Sequence, residues 1–245
     1  MPLVDIGGRR LYIEEAGLGS PTLVLEPGLL GDSRAWHTVF DQLAAVTRTV
    51  RWDRAAFGQS DRGPLPQTTE RICDDLHLLL AAAAVPSPYL LVGHSFGAFT
   101  LRVFAPRHRD EISGLVFIEP SMPDIGERVR PLLTSSQWDD LRSKWRHVGH
   151  PHLVDFERSA REVLNSPPLP HVPVLVLFGE RFTIFEGWPR EAVEALWRTH
   201  YQTLAKSVPR GRVVGVPNAG HDLFIDQPAH FMAEIIAFVE ECRGR

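Results

Sequence analysis

One stretch restricts the fold more than any other: Leu90-Leu91-Val92-Gly93-His94-Ser95-Phe96-Gly97-Ala98-Phe99. An apolar run ends at Gly93, a serine sits between two glycines, and an apolar helical pattern follows at once. A strand must turn sharply into a helix here, with Ser95 at the apex. Side chains at positions 93 and 97 would collide with the neighbouring strand and helix, so both need to be glycine. The turn pushes the Ser95 hydroxyl outward. It also leaves the N–H of Phe96 free at a helix N-terminus, where negative charge is stabilised. Taken alone, the same five residues also fit a turn serine that caps a helix.

The rest of the chain alternates short apolar runs with amphipathic patterns. Thr22–Leu25, Thr49–Trp52, Tyr89–Val92, Ile112–Ile118, Val174–Gly179 and Arg212–Val216 read as strands. Leu11-Tyr12-Ile13, after the turn Gly7-Gly8, reads as an early hairpin strand. Helical spacing of apolar residues runs from Trp36 to Ala44, from Ile72 to Ala83, from about Pro189 to Ala205 and from Phe231 to Cys242. The helix after Ser95 is expected to stop near Ala105, ahead of Pro106. Strands that are continuously apolar imply a mostly parallel sheet covered on both faces. Between Glu119 and Val174 the alternation breaks down into irregular helical sequence. The expected organisation is therefore a core of residues 1–119 and 172–245, with a small helical lid at 120–171.

Composition narrows the function. A formal charge of -4 over 245 residues argues against nucleic acid as a partner. The opening Met1–Gly8 has no basic region and no long apolar stretch, and nothing later reaches a membrane-spanning length, so a cytoplasmic enzyme with no membrane partner is expected. Lys144 and Lys206 are the two lysines, which reads as the composition bias of a GC-rich bacterial genome. Cys73 and Cys242 each fall in an apolar helical pattern and read as small buried thiols. His147, His150 and His152 read as a solvated patch in the lid, not a metal site; no metal and no cofactor are expected.

Four features together resemble the α/β-hydrolase family over nearly the full chain: Gly93-His94-Ser95-Phe96-Gly97, the Glu26-Pro27-Gly28-Leu29-Leu30-Gly31 loop after a strand, Asp53-Arg54 with Gly58 and Ser60, and Gly220-His221 before the last helix. The resemblance implies an eight-stranded α/β-hydrolase sheet with helices on both faces. It points to the serine hydrolases with a small lid, and Ser at position 95 disfavours the aspartate-nucleophile members. The implied activity is cleavage of a small apolar carboxylic ester or lactone. The same residues also serve carbon–carbon bond hydrolysis, acyl transfer or perhydrolysis, and a ligand-binding protein of low turnover is the reading from another class.

In that reading Ser95 is the nucleophile and His221 its base. The backbone N–H groups of Phe96 and, by loop position, Leu29 form the oxyanion hole. The loop departs from the family's common His-Gly pair and carries Glu26-Pro27-Gly28, with Glu26 expected to order the loop. Asp53 and Arg54 are expected to hold the turn after their strand, and His94 to point away from the hydroxyl into sheet–helix packing. The acid is the least conventional member. Many family members carry an Asp a few residues after the strand that ends here at Gly179, but Glu180–Ile184 contains none. Gly114–Pro120 instead resembles the smaller group with its acid directly after the preceding strand, which implies Glu119, after Ile118 and within hydrogen-bond reach of His221. Asp124 and Glu180 are its rivals. Trp138, Trp145, Trp188 and Phe156 either line an apolar pocket or form the core of the lid.

Overall fold

The computed structural model describes residues 3–148 and 152–243, with the side chains of 144–148 left aside. Among the described residues, eight strands form one open sheet. They are β1 (Leu3–Asp5), β2 (Arg10–Ala16), β3 (Thr22–Glu26), β4 (Thr49–Trp52), β5 (Tyr89–His94), β6 (Ile112–Ile118), β7 (Val174–Gly179) and β8 (Gly211–Val216), in spatial order β1-β2-β4-β3-β5-β6-β7-β8. The first two strands pair antiparallel, and every pairing from β4 onward through β3 to β8 is parallel. The central strands β3, β5, β6 and β7 are buried at every position.

Two hydrophobic layers follow from the twofold period of a strand. Val24, Leu91, Leu115, Phe117, Val174 and Val176 face one side, beneath α2 (Thr69–Ala82), α3 (Gly97–Arg107), α6 (Phe156–Leu164) and α7 (Arg190–Lys206). Leu23, Leu25, Leu90, Val92, Val116, Ile118, Leu175 and Leu177 face the other, beneath α1 (Phe40–Ala44), α8 (Leu223–Asp226) and α9 (Pro228–Arg243). Cys73 and Cys242 are both buried and unbridged, as their patterns suggest.

Pro106 does not stop the helix that follows Ser95. α3 continues to Arg107 with the proline in its last turn. A proline cannot donate to the carbonyl four residues back. That carbonyl belongs to Arg102, and the Ser166 hydroxyl donates to it instead at 3.0 Å.

The segment between Glu119 and β7 packs in two places. α4 (Ile125–Val129) and α5 (Ser135–Val148) share a small cluster of Val129, Leu133 and Leu141 with Trp138, Trp188 and Leu196. α6 instead docks on the body. Its Ser159 hydroxyl accepts from the Thr69 N–H at 3.1 Å, and its Glu162 carboxylate accepts from the Glu70 N–H at 2.9 Å. These two side chains satisfy the first turn of α2, whose own Thr68 makes no side-chain cap.

Candidate active site

Ser95 and Glu119 each follow the last residue of a central strand. His94 and Ile118 are partners in the β5–β6 register, so the two residues emerge from adjacent strands at the same edge of the sheet. The sheet's hydrogen bonding runs one step past both strands: Ser95 N–H donates to the Ile118 carbonyl and Glu119 N–H to the Leu177 carbonyl, each at 2.8 Å. Both residues then leave the plane with a left-handed backbone, φ +52° at Ser95 and +46° at Glu119. Such a conformation costs a non-glycine residue about 1–3 kcal/mol and persists where its surroundings fix it.

The glycines of the turn are required, as expected. A Cβ on Gly93 would lie 2.8 Å from the Gly97 carbonyl oxygen and from Leu101 on α3. One on Gly97 would lie 2.6 Å from the Glu26 carbonyl oxygen, at the end of β3.

The loop after β3 is held from below by a buried ion pair. Glu26 and Arg54 are fully buried and meet at 2.6 Å, and the Glu26 carboxylate also accepts from the Trp52 indole at 2.8 Å and the Thr100 hydroxyl at 3.0 Å. The Arg54 guanidinium donates to three successive carbonyls: Pro27, Gly28 at 2.8 Å and Leu29 at 3.2 Å. A planar trans peptide sets its N–H opposite its C=O. With the Gly28 carbonyl turned onto Arg54, the Leu29 N–H points away from Arg54. Among the described residues, no acceptor takes the N–H of Leu29 or that of Phe96. Asp53 holds the adjoining turn, accepting from the N–H groups of Ser33 at 2.7 Å and Gln59 at 2.8 Å.

Ser95, Leu29 and His221 line one cavity of about 370 Å³. Leu30, Ala35, Phe224 and Ile225 give it apolar walls, and Leu30 and Ile225 lie exposed at the surface. None of Trp138, Trp188 and Phe156 lines it. Trp138 and Trp188 belong to the cluster around α4 and α5, and Phe156 packs on Phe96 and Phe99 of the main core. The side chain of Trp145, and those of His147 and His150, lie outside the described residues.

His221 follows β8 on a half-exposed loop. Its Nδ1 stands 3.6 Å from Glu119 Oε2, an ion-pair distance somewhat longer than the hydrogen bond the sequence suggests. The Glu119 carboxylate has two further partners: the Gly179 N–H donates to Oε1 at 2.7 Å and the Tyr201 hydroxyl to Oε2 at 3.2 Å. Burial alone would lower the pKa of His221. The Glu119 carboxylate, with a smaller contribution from Asp222, outweighs it and raises the imidazole above its usual value. The rivals sit elsewhere. Asp124 pairs with Arg128 at 2.6 Å, and Glu180 is exposed with its side chain over Gly215.

His94 departs from expectation. Its ring turns toward the site, 4.6 Å from the His221 ring and edge-on to Phe224. Nε2–H donates to the His221 carbonyl at 3.0 Å. Burial, then the neighbouring His221, pushes its pKa down to about 3, so the ring is neutral and fixes the backbone of the residue beside it.

A family profile for the alpha/beta hydrolase fold matches residues 21–183, more than half of the chain. The chain belongs to the alpha/beta hydrolase family. The profile spans Ser95 and Glu119 and ends before His221. An uncharacterized protein of Bacillus subtilis, YqjL, is 25% identical over 86% of this chain and 81% of its own. N-formylmaleamate deformylase of Pseudomonas putida is 27% identical over 96% of this chain and 94% of its own. Several other curated relatives are longer, and this hydrolase spans 14–43% of their length. Among solved structures, a thermophilic esterase from Thermogutta terrifontis shares the fold with a TM-score of 0.66 at 23% identity, covering 96% of this chain and 94% of its own.

Two residues at the site of this alpha/beta hydrolase escape sequence reasoning. Gly179 ends β7, and a Cβ there would lie 2.3 Å from the Gly220 carbonyl oxygen and 2.5 Å from that of Ala219. The loop that carries His221 crosses directly over it. A glycine closing an apolar strand was the available signal. Tyr201 sits mid-helix in α7, and nothing in its sequence neighbourhood distinguishes it from a core aromatic.

Proposed function

We propose that this alpha/beta hydrolase cleaves a small apolar carboxylic ester or lactone through an acyl-enzyme on Ser95. The observation that carries the reading is the meeting at one sheet edge of Ser95 on its left-handed turn, His221 on the same cavity, and a partly buried carboxylate 3.6 Å from the imidazole. His221 takes the Ser95 proton as the hydroxyl attacks the substrate carbonyl, then returns it to the leaving oxygen. Glu119 orients the imidazole and stabilises its charged form. Apo catalytic contacts are often long and tighten on substrate binding, which suits the 3.6 Å separation. The N–H groups of Leu29 and Phe96 receive the developing oxyanion, the second at the positive end of α3. Water then releases the acyl group. We assign residues 120–171 as a helical lid inserted in a core of residues 1–119 and 172–245; it joins the nucleophile turn where the Ser121 N–H donates to the Ser95 carbonyl at 3.1 Å.

Esters and a lactone also fit the neighbours. The solved structures of similar fold include an enol-lactonase from Burkholderia xenovorans, besides the esterase above. The test is a panel of p-nitrophenyl esters of rising acyl length with a few lactones, run on wild type and Ser95→Ala. Short acyl groups should turn over fastest in a cavity of this size. Ser95→Ala should stay folded, lose about 10⁴-fold or more, and fail to react with a fluorophosphonate. A Ser95→Ala protein that keeps a measurable share of wild-type turnover overturns the proposal.

A further inference from the structure

The end of α3 away from Ser95 carries a second cluster of chemically capable side chains. His77 lies on α2, His108 directly follows α3, and Glu111 closes the short turn that leads into β6. α3 spans eleven residues, about 16 Å of helix, so this cluster is at the far end of that helix from Ser95. The His108 Nδ1 lies 3.4 Å from Glu111 Oε1, and the His77 Nε2 lies 3.7 Å from the same oxygen. One donor atom from each of the three residues falls within 4.8 Å of the other two.

We propose that His77, His108 and Glu111 form a binding site for one divalent transition-metal ion of the zinc type. Four ligands placed tetrahedrally at zinc bond lengths stand about 3.3 Å from one another. Two of the three donor separations here are within about half an ångström of that. The donors come from two segments that meet in space, α2 with His77 and the turn after α3 with His108 and Glu111, an i,i+3 pair, so the third ligand is brought in by the fold. Two imidazole nitrogens and a single carboxylate suit zinc, cobalt, nickel or copper, and disfavour magnesium and calcium, which take oxygen ligands.

The surroundings leave the cluster available. The neighbouring Arg107 pairs with Glu70 at 2.8 Å and Asp74 at 3.3 Å, and Arg109 donates to the Pro168 carbonyl at 2.7 Å. Phe104 backs the site, with its ring 4.4 Å from that of His108 and 6.2 Å from that of His77. The His77 and His108 ring centroids lie 4.0 Å apart with their planes at 40°, so the two imidazoles pack against each other beside Glu111. His77 and Glu111 are partly exposed, so solvent supplies the fourth ligand and an entry path. A bound ion ties α2 to the connection between α3 and β6, beneath the sheet and away from the chemistry. Its role is to brace the fold, independent of the assignment of Ser95.

Isothermal titration of the metal-free protein with zinc tests this, with magnesium as a second arm. One equivalent of zinc should bind with a dissociation constant of about 1–100 µM, three protein ligands being weaker than a closed four-ligand site. Cobalt should give the visible absorption of a four-coordinate ion. Zinc at about 100 times its dissociation constant should raise Tm by roughly 5–10 °C, and magnesium should not. His77→Ala and Glu111→Gln, both at partly exposed positions, should each weaken zinc at least tenfold while fluorophosphonate labelling of Ser95 is unchanged. Absence of zinc binding at 1 mM overturns the proposal. So does one-equivalent binding that survives both substitutions, which would place the ion on other histidines.

Discussion

Gly179→Ala is the most informative single change at the site. The new methyl group would meet the Gly220 carbonyl oxygen at 2.3 Å, whereas ordinary contact begins near 3.4 Å. The difference, 3.4 − 2.3 Å, asks the backbone before His221 to retreat by about 1.1 Å. Both obstructing atoms are main chain, so no side-chain rotation relieves them. The same residue's N–H holds Glu119 at 2.7 Å, so the strain is shared between the His221 loop and the carboxylate. Overpacking of this kind costs about 1–3 kcal/mol, which for a chain this long lowers Tm by about 2–12 °C. A 1 Å misplacement of a catalytic group costs on the order of 10²-fold in rate. The loss should fall on kcat more than on KM, because the cavity walls from the loop after β3 stay in place. Steady-state kinetics on a p-nitrophenyl ester, with calorimetry on the same samples, reads both quantities. Activity within about threefold of wild type at an unchanged Tm would show that the His221 loop is not held where the structure puts it.

Glu119→Gln should lose about 10³- to 10⁴-fold in kcat, as a triad with the wrong imidazole tautomer does, whereas Glu180→Gln and Asp124→Asn should lose less than about tenfold; a dead rival beside an active Glu119→Gln reverses the assignment. The ratio kcat/KM should rise with pH along one ionisation above the ordinary His value of ~6.5, because Glu119 raises the His221 pKa. In residual activity Glu119→Gln should move that midpoint down, and an unmoved midpoint counts against the contact. Acid should destabilise the fold through His94 and His200, whose pKa values burial lowers to about 3 and about 4. Below ~6.5 the unfolded chain binds these protons and the folded one does not, so stability falls as pH falls, by about 1.4 kcal/mol per pH unit for each. Denaturant melts at pH 7, 6 and 5 measure the slope, and a flat series refutes it.

The sheet was legible because its strands are short, apolar on both faces and separated by helices of clear period. Each central strand was placed within a residue or two. The strand–turn–helix at Ser95 was legible because only glycine fits on either side of it. Pro106 misled because its consequence depends on a distant hydroxyl: Ser166 relieves the one carbonyl that the ring orphans. His94 misled for a related reason. Alternation along a strand predicts the side a residue faces, but β5 ends at His94, and there the partner that decides is the carbonyl of His221. Gly179 and Tyr201 act through Glu119, 60 and 82 residues away in sequence, and short-range pattern does not say which distant residue either one meets. The aromatic residues between Glu119 and β7 could be read as pocket or as core, since composition cannot say which neighbour an indole meets.

The Arg54 clamp bears on when the site becomes ordered. Three carbonyls turned inward onto one guanidinium leave the peptide at Gly28–Leu29 no second orientation to sample. In water, a dipole must swing round each time charge appears beside it. Here the swing is made once, during folding, by an arginine buried beneath the loop. A substitution at Arg54 that spared the fold would therefore leave substrate free to enter the cavity, and would return to every turnover the reorientation that the native loop has already completed.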